Sequence, residues 1–155
     1  MTSLCCEVLQ ALKGRTLATA ESCTGGGIGA ALTAVPGSSE VYKGGIISYT
    51  NWVKEHLLHV DGRLLERLGA VSAPVAEAMA AGAREALQAD VAVSVTGLAG
   101  PGGDAFGNPV GTVYIGYSDA HETVSVKCCF SGDREAVRGG AIARALKLVL
   151  EKNSG

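Results

Sequence analysis

A run of reactive side chains leads into a glycine-rich turn near the start of the chain. Glu21, Ser22, Cys23 and Thr24 are followed by three glycines, and the flanking residues favour a strand before the turn and a helix after it. Such a turn directs unpaired backbone N–H groups and the positive end of the helix dipole at one point, which would stabilise a phosphate or a developing oxyanion. A purely structural turn fits the same residues, because Ser and Thr cap helices and glycine permits close packing.

The second candidate site is the segment that contains Tyr49 and Lys54. The pattern predicts that Tyr49 ends a strand and that Lys54 lies one turn into the following helix, for which Asn51 is the expected cap. A lysine in a dry pocket or beside other cations loses its proton more easily and can then act as a base. The alternative is a solvated helix lysine beside an edge tyrosine.

The third candidate is the loop that begins at Thr96 and reaches Asp104. It holds four glycines in eight residues, and glycine lets backbone amides approach a ligand closely. The Gly-Lys-Ser/Thr ending of a Walker loop is absent. A flexible connection without a ligand is the competing interpretation.

A dinucleotide fingerprint overlaps the first candidate site. Gly25, Gly27 and Ala30 satisfy the G-x-G-x-x-[GA] spacing between a predicted strand and a predicted helix. The fingerprint also requires an acidic residue at the end of the next strand, and that strand ends here in Tyr49-Thr50-Asn51. The signal for a nicotinamide dinucleotide is therefore weak.

Other catalytic arrangements are disfavoured by the residues present. Three histidines provide no H-E-x-x-H or comparable ligand set, so we expect no metal and no Ser-His-Asp triad. If Ser22 is a nucleophile, lysine is the natural base. Cys23 is the competing nucleophile, but no histidine lies near it in the chain to stabilise a thiolate. Successive residues that leave a strand point in different directions, so at most one of the pair should face the substrate.

Predicted helices and strands alternate along the chain and end in a hairpin. Helices are expected over 4–13, 28–35, 51–59, 61–68, 72–88 and 133–150, and strands over 16–20, 45–49, 91–95, 112–117 and 123–128. This order indicates an α/β protein: a three-layer α/β/α sandwich with a mixed, mostly parallel sheet and a C-terminal hairpin. Residues 1–155 are expected to form a single domain.

The bulk composition is that of a globular protein outside the membrane. Apolar residues make up 47% and charged residues 18%, and the net charge of −2 without a basic cluster indicates no nucleic-acid partner. Five cysteines, four of them in adjacent pairs, suit free thiols in a reducing compartment. No signal peptide and no apolar run of membrane-spanning length is visible, so we expect no membrane association and a cytoplasmic location.

The three candidate sites, taken together, resemble the CinA C-terminal domain family, which is the nicotinamide-nucleotide amidase family. The matching motifs, in chain order, are ESCTGG, GSS, YTN-x-x-K, GAVS, TGLAGPGG and PVGTV, and the similar stretches span nearly the whole chain. The joint match is highly specific. Departures are Trp52, where a small or acidic residue is common, and Asn108, where lysine is expected and where its loss would weaken phosphate binding.

The resemblance implies hydrolysis of the carboxamide of nicotinamide mononucleotide to nicotinate mononucleotide and ammonia, without metal or cofactor. It places the nucleophile at Ser22, assisted by Lys54 and Tyr49, with Lys54 taking the serine proton directly or through Tyr49. The implied substrate-binding residues are Cys23, Thr24, Gly25, Gly26, Thr96, Gly100, Gly102, Gly103 and one or both of Arg134 and Arg138.

Several finer expectations complete this hypothesis. Backbone amides between Cys23 and Gly26 are expected to hold the oxyanion, and the phosphate would bind the loop at Gly100 to Gly103 or an arginine of the last helix. A stand-alone form and a homo-oligomer are expected. The alternatives are a nucleotide-binding module without turnover and a dinucleotide-dependent oxidoreductase.

Overall fold

The computed structural model describes residues 1–154, which form five strands and six α-helices. In chain order the elements are α1 (Thr2–Ala11), β1 (Leu17–Glu21), α2 (Gly27–Thr33), a short 3-10 turn (Ser38–Glu40), β2 (Tyr42–Ile47), α3 (Asn51–His56), α4 (Gly62–Leu68), α5 (Ala73–Ala86), β3 (Val91–Gly97), β4 (Thr112–Ser118), β5 (Thr123–Cys129) and α6 (Arg134–Asn153).

The five strands form one mixed sheet in the order β2-β1-β3-β4-β5. β1 pairs in parallel with both β2 and β3, whereas β4 runs antiparallel to its two neighbours. Four strands therefore share one direction, and the predicted mixed sheet with a C-terminal hairpin is confirmed. Glu21, the last residue of β1, is level with Ile47 of β2 and Val95 of β3, so three strands end at the same edge.

Helices cover both faces of the sheet, which confirms the predicted three layers. One core packs α1, α2 and α6 against side chains such as Leu17 and Val93, and the other packs α5 against small side chains such as Ala18 and Ala92. Because β1 and most of β3 are buried on both faces, their sequences show apolar runs rather than alternation.

Local side-chain contacts explain where several helices begin. Asp133 accepts a hydrogen bond from the Ala136 N–H at 2.9 Å and caps α6 as predicted. The prediction that Asn51 caps α3 is wrong, because Thr50 occupies the cap position and Asn51 is the first helical residue. α3 also ends at His56 and not at residue 59, since His59 adopts a left-handed φ of 57°.

β2 ends earlier than the sequence predicts. It stops at Ile47, so Tyr49 lies beyond the strand and not at its last position. Between residues 1 and 154, no helix has both the length and the apolar character needed to cross a membrane.

Candidate active site

A cavity of about 290 Å³ opens at the edge of the sheet where β1 and β3 end. Its walls are formed by the turn after β1, the segment after β2 together with α3, the residues before α5, the end of β3 with the loop that follows it, and the start of α6. The lining residues are Ser22, Cys23, Tyr49, Asn51, Lys54, Ala70, Val71, Thr96, Gly97, Leu98, Ala99, Gly100, Gly102 and Arg134. All three predicted segments therefore meet at one site.

Ser22 and Lys54 are in direct contact within this cavity. The Lys54 Nζ donates to the Ser22 Oγ at 3.0 Å and to the Ser48 carbonyl oxygen at 2.7 Å. The Ser22 N–H continues the β1–β3 ladder by bonding to the Val95 carbonyl oxygen at 3.1 Å. A main-chain bond to β3 thus fixes the backbone of Ser22, and the carbonyl oxygen of Ser48, just beyond β2, holds the Lys54 amine.

The environment of Lys54 makes its neutral form more accessible than that of a solvated lysine. Its side chain is 1% exposed, and no carboxylate in the described residues forms an ion pair with it. Burial disfavours the charged amine and lowers its pKa from 10.5 to about 8, with the nearby Cys23 thiol opposing that shift. Lys54 is therefore equipped to take a proton from the hydroxyl beside it.

Cys23 lines the same cavity, but its surroundings disfavour the thiolate form. Burial raises the pKa of its thiol, and the neighbouring cations Arg138, Lys54 and Arg134 oppose the shift without reversing it. Both Ser22 and Cys23 line the cavity, and that at most one of them faces the substrate stays a prediction. Only Ser22 has a base at hydrogen-bonding distance.

The start of α2 is occupied by a carboxylate of the chain itself. The Glu21 carboxylate accepts hydrogen bonds from Thr24 Oγ1 at 2.8 Å, from Ile28 N–H at 2.8 Å and from Gly29 N–H at 3.0 Å. The sequence shows an acidic residue directly before Ser22, but the pattern did not predict that its carboxylate would bond to the start of α2. A dinucleotide pyrophosphate would need these same N–H groups, so the contact disfavours the dinucleotide interpretation.

Three of the predicted binding residues consequently lie outside the cavity. Thr24, Gly25 and Gly26 do not line it, because they form the turn that Glu21 fastens to α2. The Gly25 N–H bonds to the Ser22 carbonyl oxygen, so it is also unavailable for an oxyanion.

The two arginines of α6 have different surroundings. Arg134 lines the cavity and donates to the Gly100 carbonyl oxygen at 2.7 Å and to the Tyr49 hydroxyl at 3.2 Å. Arg138 lies behind the site and donates to the carbonyl oxygens of Cys23 at 2.9 Å and Thr24 at 3.1 Å. Arg134 is therefore the arginine placed to meet a substrate, whereas Arg138 braces the turn.

Tyr49 lies at the mouth of the cavity and not between Ser22 and Lys54. Its side chain is 57% exposed, and in residues 1–154 its hydroxyl bonds to Arg134 and to neither member of the pair. The structure thus shows a direct Ser22–Lys54 contact and no relay through Tyr49. Asn51, which the sequence offered only as a helix cap, also lines the cavity.

The glycine-rich loop forms the opposite wall. Gly100 and Gly102 line the cavity, but Gly103 packs under the Asn108 carbonyl oxygen and does not. The Thr96 hydroxyl donates to the Ala70 carbonyl oxygen at 2.9 Å, which ties the end of β3 to the segment before α5.

Asn108, which replaces the expected lysine, has a structural role in this loop. Its amide donates to the Val71 carbonyl oxygen at 3.1 Å and to Asp104 at 2.8 Å. Across residues 1–154 no cluster of three His, Cys, Asp or Glu side chains is arranged to hold a metal ion.

Comparisons with known proteins agree with this architecture. The family model described as the CinA C-terminal domain matches residues 2–153. A CinA-like protein of Synechococcus sp. (strain RCC307) is 50% identical over 152 residues, which are 95% of this chain and 36% of that protein. A CinA-like protein of Desulfotalea psychrophila is 53% identical over 126 residues, or 81% of this chain and 30% of that protein. The chain thus spans about a third of the length of these curated relatives.

Solved structures give the same result. The competence damage-inducible protein A (ComA) of Klebsiella pneumoniae superposes with a TM-score of 0.95 at 37% identity, covering 97% of this chain and 95% of that one. The competence/damage inducible protein CihA of Agrobacterium tumefaciens also has a TM-score of 0.95, at 35% identity, covering 99% of this chain and 95% of that one.

Proposed function

The chain belongs to the CinA C-terminal domain family, and we propose that it is an amidohydrolase that deamidates nicotinamide mononucleotide. One observation carries the proposal. The Ser22 hydroxyl lies 3.0 Å from a buried lysine amine, inside a cavity of about 290 Å³. A hydroxyl needs a general base to become a nucleophile, and the neutral form of a buried lysine amine can act as one. Ligand pockets start at volumes of roughly 300 Å³, so the cavity suits a single small ligand.

The proposed reaction has two halves that use the same pair. The neutral Lys54 amine accepts the Ser22 proton while Oγ attacks the carboxamide carbon to give a tetrahedral intermediate. The resulting ammonium returns the proton to the amide nitrogen, the C–N bond breaks, and ammonia leaves the acyl-serine. Lys54 then takes a proton from water, whose oxygen attacks the ester, and Ser22 leaves with that proton as nicotinate mononucleotide is released.

The oxyanion of the tetrahedral intermediate needs a donor close to Ser22. Among the amides expected for this role, that of Cys23 belongs to a residue that lines the cavity, whereas the N–H of Gly25 is already bonded to the chain. We therefore assign the Cys23 N–H as an oxyanion donor. Removal of a comparable donor elsewhere costs roughly 10²–10³ in kcat.

The phosphate of the substrate is assigned to the side of the cavity opposite α2. The start of α2 already holds the Glu21 carboxylate, which would repel a second anion. Arg134 is a cation in the cavity wall whose present partners are two neutral oxygens, and it adjoins Gly100 and Gly102. A guanidinium forms stronger hydrogen bonds with phosphate than with neutral acceptors, so Arg134 would exchange these partners for the substrate.

Ammonia release from nicotinamide mononucleotide tests the proposal directly. The wild-type protein should release ammonia, and Ser22→Ala should lower kcat by roughly 10⁴ to 10⁶, the usual cost of losing a nucleophile. Calorimetry should still detect binding to Ser22→Ala. Ser3→Ala, on the exposed side of α1, is the matched control and should keep wild-type kcat.

Each other outcome contradicts a defined part of the proposal. Binding without ammonia release by the wild-type protein would make this a nucleotide-binding module. Wild-type turnover by Ser22→Ala would reduce Ser22 to a residue of the turn.

A further inference from the structure

Glu21 is a buried acidic residue that the proposed reaction does not use. It is 2% exposed, it immediately precedes Ser22, and it forms no ion pair within residues 1–154. Its carboxylate instead accepts three hydrogen bonds, from the Thr24 hydroxyl and from the Ile28 and Gly29 N–H groups that begin α2. A buried carboxylate with this many donors fixes their positions, because leaving one donor unpaired is unfavourable.

These bonds fasten the turn that carries Ser22. The Glu21 carboxylate links the end of β1 to the first residues of α2. Ser22 and Cys23 therefore lie inside a loop of chain that these hydrogen bonds close. Arg138 holds the same turn from outside through the Cys23 and Thr24 carbonyl oxygens.

The main chain of Glu21 extends this support to the base. Its carbonyl oxygen accepts the Ser48 N–H at 2.7 Å and lies 3.4 Å from the Ser48 hydroxyl. The Ser48 carbonyl oxygen in turn accepts a hydrogen bond from Lys54 Nζ at 2.7 Å. Glu21 therefore connects through its side chain to the turn of the nucleophile and through its backbone to the residue that holds the base.

We propose that Glu21 is a positioning residue that keeps the Ser22 hydroxyl and the Lys54 amine at their reacting distance. Proton transfer and attack need near-contact geometry, and a displacement of about 1 Å can cost roughly 10²-fold in rate. The role rests on the proposed amidase function only for its kinetic readout, since the hydrogen bonds themselves are a property of the fold.

Glu21→Gln is the most informative variant, because it keeps the size of the side chain and replaces one hydrogen-bond acceptor with a donor. A carboxamide places an NH₂ against one of the two N–H donors of α2, which must then move apart. We expect kcat to fall about 10²-fold while KM changes less than about twofold, because no wall of the cavity is formed by Glu21.

A second readout does not depend on the identity of the substrate. A fluorophosphonate probe should label Ser22 in the wild-type protein, with the site confirmed by peptide mass spectrometry, and Glu21→Gln should slow this labelling by a factor similar to its loss of kcat. Thr24→Val removes only the hydroxyl that donates to Glu21. It should lower both rates by a smaller factor, and it replaces Glu21→Gln in the test if that variant does not fold.

Asp61→Asn is the matched control. Asp61 is also a carboxylate that caps a helix, accepting from the Arg63 N–H at 2.9 Å, but it does not line the cavity. It should keep wild-type kcat, KM and labelling rate.

The possible results separate the two proposals. Wild-type kcat and labelling in a folded Glu21→Gln protein would overturn the positioning role. Ser22 labelling that Glu21→Gln slows, in a wild-type protein that releases no ammonia, would support the positioning role and overturn the amidase function. A wild-type protein that releases no ammonia and whose Ser22 is never labelled would overturn both.

Discussion

Burial of Lys54 sets the pH range in which the protein should work. The pKa of its amine is lowered from 10.5 to about 8 because burial disfavours the charged form. At pH 7 the neutral amine is then present in roughly one molecule in ten, against about three in ten thousand for an unshifted lysine. The fold would thus increase the reactive form of the base by about 300-fold near neutrality.

The measurement is kcat/KM for ammonia release between pH 6 and 10 at constant ionic strength. It should rise with pH, by about 50-fold from pH 6 to pH 8, and level off above that, because kcat/KM follows the neutral fraction of the base in the free enzyme. A profile that is flat from pH 6, or one that continues to rise through pH 10, would refute the reasoning.

Variants of Lys54 separate its proton transfer from its charge. Lys54→Arg should lose turnover by roughly 10² to 10⁴, since arginine remains protonated and cannot serve as a base. Lys43→Arg is the control, because the Lys43 amine donates to the Gln88 carbonyl oxygen at the surface and lies outside the cavity. It should reproduce the wild-type profile. An active Lys54→Arg protein would remove lysine as the base.

The same pKa shift should appear in stability. The unfolded chain binds a proton at Lys54 with a pKa near 10.5 and the folded chain with a pKa of about 8, so the unfolded state holds more protons between these values. The free energy of unfolding therefore gains about 3 kcal/mol from this group as pH rises from 8 to 10.5, and the gain is absent below 8. Urea denaturation of Lys54→Met should lack this gain relative to the wild-type protein.

Five further variants test the remaining assignments. Cys23→Ala should retain at least about a third of wild-type turnover, and iodoacetamide should inhibit slowly, because burial raises the thiol pKa; an inactive alanine variant would restore the cysteine mechanism. Arg134→Gln should raise KM for the nucleotide at least about tenfold. Arg138→Gln should leave KM nearly unchanged and lower the free energy of unfolding by about 1–3 kcal/mol. Equal effects of the two variants on KM would contradict the assignment of Arg134 to the substrate and of Arg138 to the turn. Gly82→Ala should lower Tm, because the added Cβ meets a backbone carbonyl, while Gly139→Ala in α6 meets nothing and should stabilise by about 0.5–1 kcal/mol.

The elements and the proposed reacting pair could be predicted from the sequence because they depend on local patterns and motifs. Apolar runs bounded by glycine indicated the central strands, and the segments around Ser22 and Lys54 were each marked by residue types that suit a nucleophile and a base. The end of β2 was not accessible in this way. The run through Tyr49 looks like continuous strand, but only the Ser48 N–H still bonds to β1, whereas the Ser48 carbonyl oxygen accepts a hydrogen bond from Lys54.

Contacts between distant segments could not be predicted from spacing. Arg134 and Arg138 lie one helical turn apart and look equivalent in the sequence, yet one meets the loop after β3 and the other meets the turn after β1. In the sequence Glu21 only follows the predicted strand 16–20 and precedes Ser22. Only the fold shows that its carboxylate occupies the start of α2, the place where the pattern predicted a bound anion.

Strand order explains why these groups meet at one edge. The chain leaves β1 across one face through α2 to reach β2, then crosses the other face through α5 to reach β3, on the opposite side of β1. In open α/β sheets a crevice forms outside the carboxyl ends of the strands at such a switch point. Ser22 lies in that crevice with its N–H still in the β1–β3 ladder, so the sheet itself fixes the position of the proposed nucleophile.

The residues at the mouth of the cavity belong to more variable parts of the fold than the Ser22–Lys54 pair. Tyr49 and Gly100 belong to connecting segments, and Arg134 links them from the first turn of α6. Connecting segments accept changes in sequence that a sheet edge does not, because fewer buried contacts depend on them. Changes at the mouth should therefore alter which amide enters the cavity, whereas changes at the Ser22–Lys54 contact should alter whether any amide is cleaved.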